Sequence, residues 1–105
     1  MRAYLVTRAL DMVILDLARV GGRTPWRKLA AMGEAHNIPV CSHVVPEVHV
    51  HLLASVPAGH MVVYMPLSTE VLENMTVPVA GKMAPLDALG HGLQLDGSAA
   101  ARFKI

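Results

Sequence analysis

Asp16 and His43 are the two residues whose types and surroundings point most directly to chemistry. Each closes an apolar run, Met12 to Leu15 before the carboxylate and Ile38 to Cys41 before Ser42 and His43. Short apolar runs of this kind read as strands, so both polar groups fall at strand C-terminal ends. In parallel α/β proteins that end is where the loops open on one face and ligands bind. An Asp and a His delivered there by neighbouring strands can pair. The carboxylate would then fix the imidazole tautomer and raise its basicity, as a general base working near neutral pH requires. The plainer reading is that Asp16 caps a turn and His43 is a satisfied core histidine.

Three further groups of residues invite a chemical reading. His49 and His51, with His43 upstream, have the His-X-His spacing of a zinc site, the basis for reading the chain as a small His-based zinc-binding protein. Two histidines two apart converge on one ion only in an extended backbone; in a helix they diverge by about 200°. Cys41 lies inside an apolar strand two residues before His43, so the two side chains share a face, but its surroundings suit a small buried hydrophobe better than a nucleophile. Gly21-Gly22 ahead of a helix resembles half of a phosphate-cradling loop without the further glycines or the Lys-Ser/Thr, which leaves a tight turn.

The elements that must carry these residues can be read in order. Residues 2–10 have the spacing of the last turns of a helix, with Leu5, Ala9 and Leu10 on one side, as if the chain opened partway through a longer fold. Met12–Asp16 does not alternate polar with apolar, the pattern of a parallel strand covered on both sides. Thr24 is a good N-cap and Pro25 a natural first residue for a helix to about Ala35, burying Trp26, Leu29, Ala30 and Met32-Gly33 and ending on His36-Asn37. Val40–His43 is the second strand. From Pro46 to Val56 the alternation of Val48, Val50 and Leu52 with histidines suggests a strand, but Pro46, Glu47 and the length of the segment favour a helix. Met61–Met65 is the third strand. Beyond Leu67 regularity fades: a helical turn at 70–74, an extended piece at 76–80, a Gly/Pro-rich loop to Gly92, a small-residue turn at 97–101 and a short edge strand at 102–105. The fold class is therefore α/β, with strand and helix alternating over residues 1–66 and an irregular extension over residues 67–105.

Composition narrows the function. The chain has 105 residues, one domain at most, yet 53% of it is apolar and 16% charged. That is rich for so short a chain and implies strands buried on both faces or against something further. A formal net charge of +1, with no basic run interleaved with aromatics, argues against nucleic acid as the partner. The single cysteine excludes an internal disulfide and makes the cytoplasm the expected compartment. Arg8 and Asp11 interrupt the N-terminal apolar run before a signal sequence is complete, and no segment nears the about 20 apolar residues of a membrane span.

Two longer stretches carry a family likeness. Asp-Leu-Ala-Arg-Val-Gly-Gly-Arg-Thr-Pro-Trp (16–26) and Asn-Ile-Pro-Val-Cys-Ser-His-Val-Val-Pro-Glu-Val-His-Val-His-Leu-Leu-Ala (37–54) resemble, in order and spacing, the C-terminal barrel part of enolase-superfamily enzymes of the mandelate racemase and muconate lactonizing type. The likeness continues through Val-Pro-Ala-Gly-His-Met-Val (56–62) to Gly-Leu-Gln-Leu-Asp (92–96) and so covers nearly the whole chain. It implies a partial (β/α) barrel, roughly the last three strand-helix units of an enolase-type TIM barrel, with the strands at 12–16, 40–43 and 61–65 as the sixth, seventh and eighth. Residues 67–105 would pack back toward the family's N-terminal capping domain.

The same resemblance implies the chemistry. His43 would abstract the proton α to a substrate carboxylate, Asp16 would complete the dyad, and a bound Mg²⁺ would stabilise the enediolate. Racemases return the proton to the other face, whereas acid-sugar dehydratases expel a β-hydroxyl; Ser-His-Val-Val-Pro-Glu is more similar to the dehydratase branch. Two departures stand out. Val63 occupies the place where the family usually has a Glu that hydrogen-bonds the substrate carboxylate. The three carboxylate Mg²⁺ ligands and the Lys-X-Lys base belong to earlier strands than those present. The expectation is a C-terminal fragment of a sugar-acid dehydratase or racemase, inactive alone and covered by the missing N-terminal portion or by self-association. The alternative is a non-catalytic interaction or oligomerisation fragment.

Overall fold

A computed structural model describes residues 1–104. Its elements are α1 (Arg2–Val6), β1 (Val13–Asp16), α2 (Arg23–Ala35), β2 (Val40–His43), α3 (Pro46–Ala54), β3 (Gly59–Met61) and α4 (Gly97–Ala101). The three strands form one sheet in the order β1-β2-β3, with both pairs parallel. Helices connect them, as parallel pairing requires.

The core lies between the sheet and the two long helices. Val13 and Leu15 of β1 and Val40 of β2 bury against Trp26 and Ala30 of α2 and Leu52 and Leu53 of α3, with Leu5 of α1 closing one end. The opposite face holds Ile14 and Asp16 of β1, paired in register with Cys41 and His43 of β2. Sequence alone suggested cover on both sides of β1, but Ile14 is 59% exposed. In this chain the helices cover one face only.

Several boundaries differ from those read in the sequence. The first helix ends at Val6 rather than Leu10, because the chain turns at Arg8 with a φ of 53°. The second helix begins at Arg23, two residues before Pro25, since Gly22 takes the cap position at φ 103°, ψ −172°, a conformation open essentially to glycine. Thr24 makes no capping bond. Pro25 falls in the first turn, where a missing N–H leaves no helical bond unmade. The far end is as expected: Asn37 adopts φ 56°. The N–H groups of Asn37 and Ile38 bond back to Glu34 and Gly33, both at 2.9 Å, the two bonds of a Schellman motif.

The 46–54 segment is helical despite its alternating pattern. Pro46, Glu47, His49, Val50, Leu52 and Leu53 are all buried, so the helix is enclosed nearly all round and shows no clean stripe. The third strand is displaced: pairing covers Gly59–Met61 rather than 61–65, with an irregularity opposite Val40 and Cys41. Gly59 explains the early start. A Cβ there would run into the main chain of Leu53 and Val56, so only glycine lets the strand leave α3 this tightly. Gly59→Ala should therefore lower the unfolding free energy by about 1–3 kcal/mol, read from the urea midpoint.

Beyond Leu67 side chains replace regular pairing. Asn74 donates to the Gly92 carbonyl at 2.7 Å and accepts from the Gln94 N–H at 2.8 Å, next to an isolated bridge between Leu72 and Leu95. Residues 67–71 form turns rather than a helix, and of the extended piece only Val79 pairs, with Lys82. The small-residue stretch expected as a turn is α4, because Asp96 accepts from the N–H groups of Ser98 and Ala99, both at 2.9 Å. The edge strand expected at 102–105 is absent from its described part: Arg102 and Phe103 continue α4 as a turn, and Ile105 lies outside the described residues.

Candidate active site

Parallel pairing puts Asp16 directly opposite His43 at the C-terminal ends of adjacent strands. Neighbouring strands lie about 4.8 Å apart and paired residues share a face, so the two side chains must meet. The His43 Nδ1–H donates to Asp16 Oδ2 at 2.8 Å. The other carboxylate oxygen does what the plainer reading proposed. Asp16 Oδ1 accepts from the N–H groups of Ala18 at 2.9 Å and Arg19 at 3.0 Å, closing the turn that leaves β1. Arg19 Nε also lies 3.4 Å from Oδ2, on a side chain that is otherwise exposed.

The carboxyl of Asp16 is held below its ordinary pKa, first by the Arg19 N–H and next by the His43 hydrogen bond. Partial burial works in the opposite direction and is outweighed. A depressed folded value adds stability that is complete above the unfolded value, near pH 4, and is lost as pH falls through the folded one. Acid unfolding should accordingly be steeper below about pH 4 in the wild type than in Asp16→Asn, measured by urea midpoints across that range.

The Asp16 side chain is 12% exposed and that of His43 is 40% exposed. With Nδ1 engaged, Nε2 is the ring nitrogen left to act as acceptor, at the end of the sheet where the loops open. The geometry is that of an imidazole base oriented by a carboxylate.

The remaining candidates are placed elsewhere. His49 and His51 are on α3, and the sheet does not bring His43 to them. Cys41 is buried on the same face as His43, with its Sγ 3.0 Å from Met12 Sδ. Val63 follows β3, and its N–H donates to Ser42 Oγ at 2.8 Å. Ser42 is fully buried, and sequence reasoning missed it as the anchor of the third strand's end; a hydroxyl inside an apolar strand was the available signal. Among the described residues no group of three or more His, Cys, Asp or Glu is placed to hold a metal ion. The described residues therefore do not fit a Mg²⁺ centre of their own.

The family described as enolase C-terminal domain-like matches the chain over residues 1–100. The chain belongs to the enolase C-terminal domain-like family. Its sequence is 38% identical over 95 residues to the 3,6-anhydro-alpha-L-galactonate cycloisomerase of Streptomyces coelicolor, a match that takes in 86% of this chain and 25% of that protein. Among solved structures it is similar to an enolase from Bradyrhizobium complexed with magnesium and mandelic acid, at 30% identity and a TM-score of 0.87 over 99% of this chain and 28% of that one. It also matches an L-talarate dehydratase from Polaromonas sp. JS666 complexed with Mg and L-glucarate, at 31% identity and a TM-score of 0.85 over 92% of this chain and 26% of that one. The enolase C-terminal domain-like chain thus spans about a quarter of the length of these relatives. Its parallel sheet matches part of the superfamily's C-terminal barrel domain. Among the described residues no helix is long and apolar enough to cross a membrane.

Proposed function

We propose that this chain supplies the proton-abstracting half of an enolase-superfamily active site acting on a small carboxylate or sugar acid. The observation that carries the reading is the 2.8 Å bond from His43 Nδ1–H to Asp16 Oδ2 at the open end of two paired parallel strands. His43 Nε2 would take the proton α to the substrate carboxylate, and Asp16 would stabilise the imidazolium that forms. Dehydration, cycloisomerisation and racemisation of such acids share this first step. The relatives bound to L-glucarate and to mandelic acid are consistent with that substrate class.

The reading includes incompleteness. No Mg²⁺ ligand set occurs among the described residues, and Val63 can neither donate a proton nor accept a hydrogen bond through its side chain. Ile14 and Met61 are both more than half exposed, an apolar surface that suits further barrel strands. We therefore read residues 67–105 as an extension packing toward a capping domain, and the chain as inactive alone because an enediolate would lack its electrostatic sink.

The test combines the chain with the part of the Polaromonas L-talarate dehydratase that it does not match, in D₂O with Mg²⁺. Deuterium should enter L-glucarate α to a carboxylate in the mixture and not with the chain by itself. Association without exchange would instead support a non-catalytic interaction fragment. Exchange by the chain alone would overturn the incompleteness.

A further inference from the structure

The turn that carries the chain away from His43 has an unusual conformation. Val44 and Val45 lie in the left-handed region, at φ 49° and φ 38°. Two consecutive β-branched residues there are disfavoured by contact between Cβ and the main chain, so the surroundings must impose the shape. One side chain is placed to do so. His49, one turn into α3, is fully buried and its Nδ1 lies 2.8 Å from the Val44 carbonyl oxygen. A carbonyl only accepts, so Nδ1 carries the proton and donates it. The other nitrogen, Nε2, is buried without a partner, and a proton there would be an unmatched buried donor. From α2, the fully buried Trp26 sets its ring 6.0 Å from that of His49 at 54°, which backs the imidazole against the turn.

We propose that His49 is a positioning residue for the dyad. By donating from Nδ1 to Val44 it holds the left-handed 44–45 turn, and the turn in turn keeps the His43 imidazole against Asp16. The inference rests on reading His43 as the base. It connects the helix layer to the open face through Trp26, the His49 ring, the Val44 carbonyl and the residue before it. A histidine that merely filled space would need neither the Nδ1 proton nor the bond to Val44.

The experiment uses the full chain labelled with ring-¹⁵N histidine and followed by NMR, with His49→Leu and His49→Asn as variants. In the wild type His49 should be the Nδ1–H tautomer, and the His43 Nδ1–H should give a slowly exchanging downfield proton. In His49→Leu, with circular dichroism retained, the His43 proton should move upfield and exchange roughly tenfold faster, the equivalent of one lost hydrogen bond. The amide nitrogen of His49→Asn stands as far from Cβ as Nδ1 does, can donate to the Val44 carbonyl and should restore it. A wild-type His49 protonated at Nε2 overturns the inference even if His49→Leu does not fold. An unchanged His43 proton in folded His49→Leu also overturns it while leaving the dyad intact. Absence of that proton from the wild type would remove the dyad itself, and the inference with it.

Discussion

Trp26→Ala should abolish cooperative unfolding of the isolated chain at room temperature. The indole is fully buried at the centre of the cluster formed by Val13, Leu15, Ala30, Val40, Leu52 and Leu53. Truncating a core Trp or Phe to Ala costs about 3–5 kcal/mol, transfer and cavity terms together. A domain of this length has roughly 5–15 kcal/mol in all, and one whose sheet is covered on a single face belongs near the bottom of that range. Trp26→Phe should be much milder, because the indole N–H has no partner to lose. Urea titrations followed by far-UV circular dichroism would check both, and equal midpoints for wild type and Trp26→Ala would show that the core lies elsewhere.

In the reconstituted enzyme, His43→Gln should lower α-proton exchange by roughly 10²–10⁴-fold, the usual contribution of a positioned general base. The urea midpoint of the chain at neutral pH should change little, because His43 is not part of the buried core cluster. Asp16→Asn should also slow exchange, and it should in addition loosen the turn at Ala18 and Arg19, whose N–H groups both bond to the carboxylate. The two variants are therefore distinguishable: Asp16→Asn should remove the carboxyl's contribution to acid stability, whereas His43→Gln should only reduce it, because the Arg19 and Ala18 N–H groups still hold the carboxylate. Equal exchange in wild type and His43→Gln would assign the proton transfer to another group.

The alternation of strands and helices was legible because its signals are local. Apolar runs of strand length, a glycine pair, an Asn in the left-handed cap and a Pro at the first turn of α3 each act within a few residues. The meeting of Asp16 and His43 was legible from the same signals, since strand ends in a parallel sheet fix which residues are neighbours. What escaped was set by longer contacts. The start of β3 depends on Gly59 against the main chain of α3, and Gly22 displaced Thr24 as the cap through a conformation that composition alone does not signal. His49 read as an ordinary polar position on a helix, because nothing in Val-His-Val-His tells that one ring will lie under the 44–45 turn and the other will not.

Asp16 spends its two oxygens on different tasks, one on the loop that leaves the strand and one on the imidazole. The residues that follow it are thus not free to drift. An insertion or deletion at Ala18 or Arg19 would tilt the carboxylate and swing His43 with it, even though neither residue need meet a substrate. Nor does the constraint end there: the Val20 N–H bonds back to the Asp16 carbonyl at 3.0 Å and the Gly22 N–H to that of Leu17 at 2.9 Å, so any loop grafted from a relative should have to keep residues 16–22 as one rigid piece leading into α2.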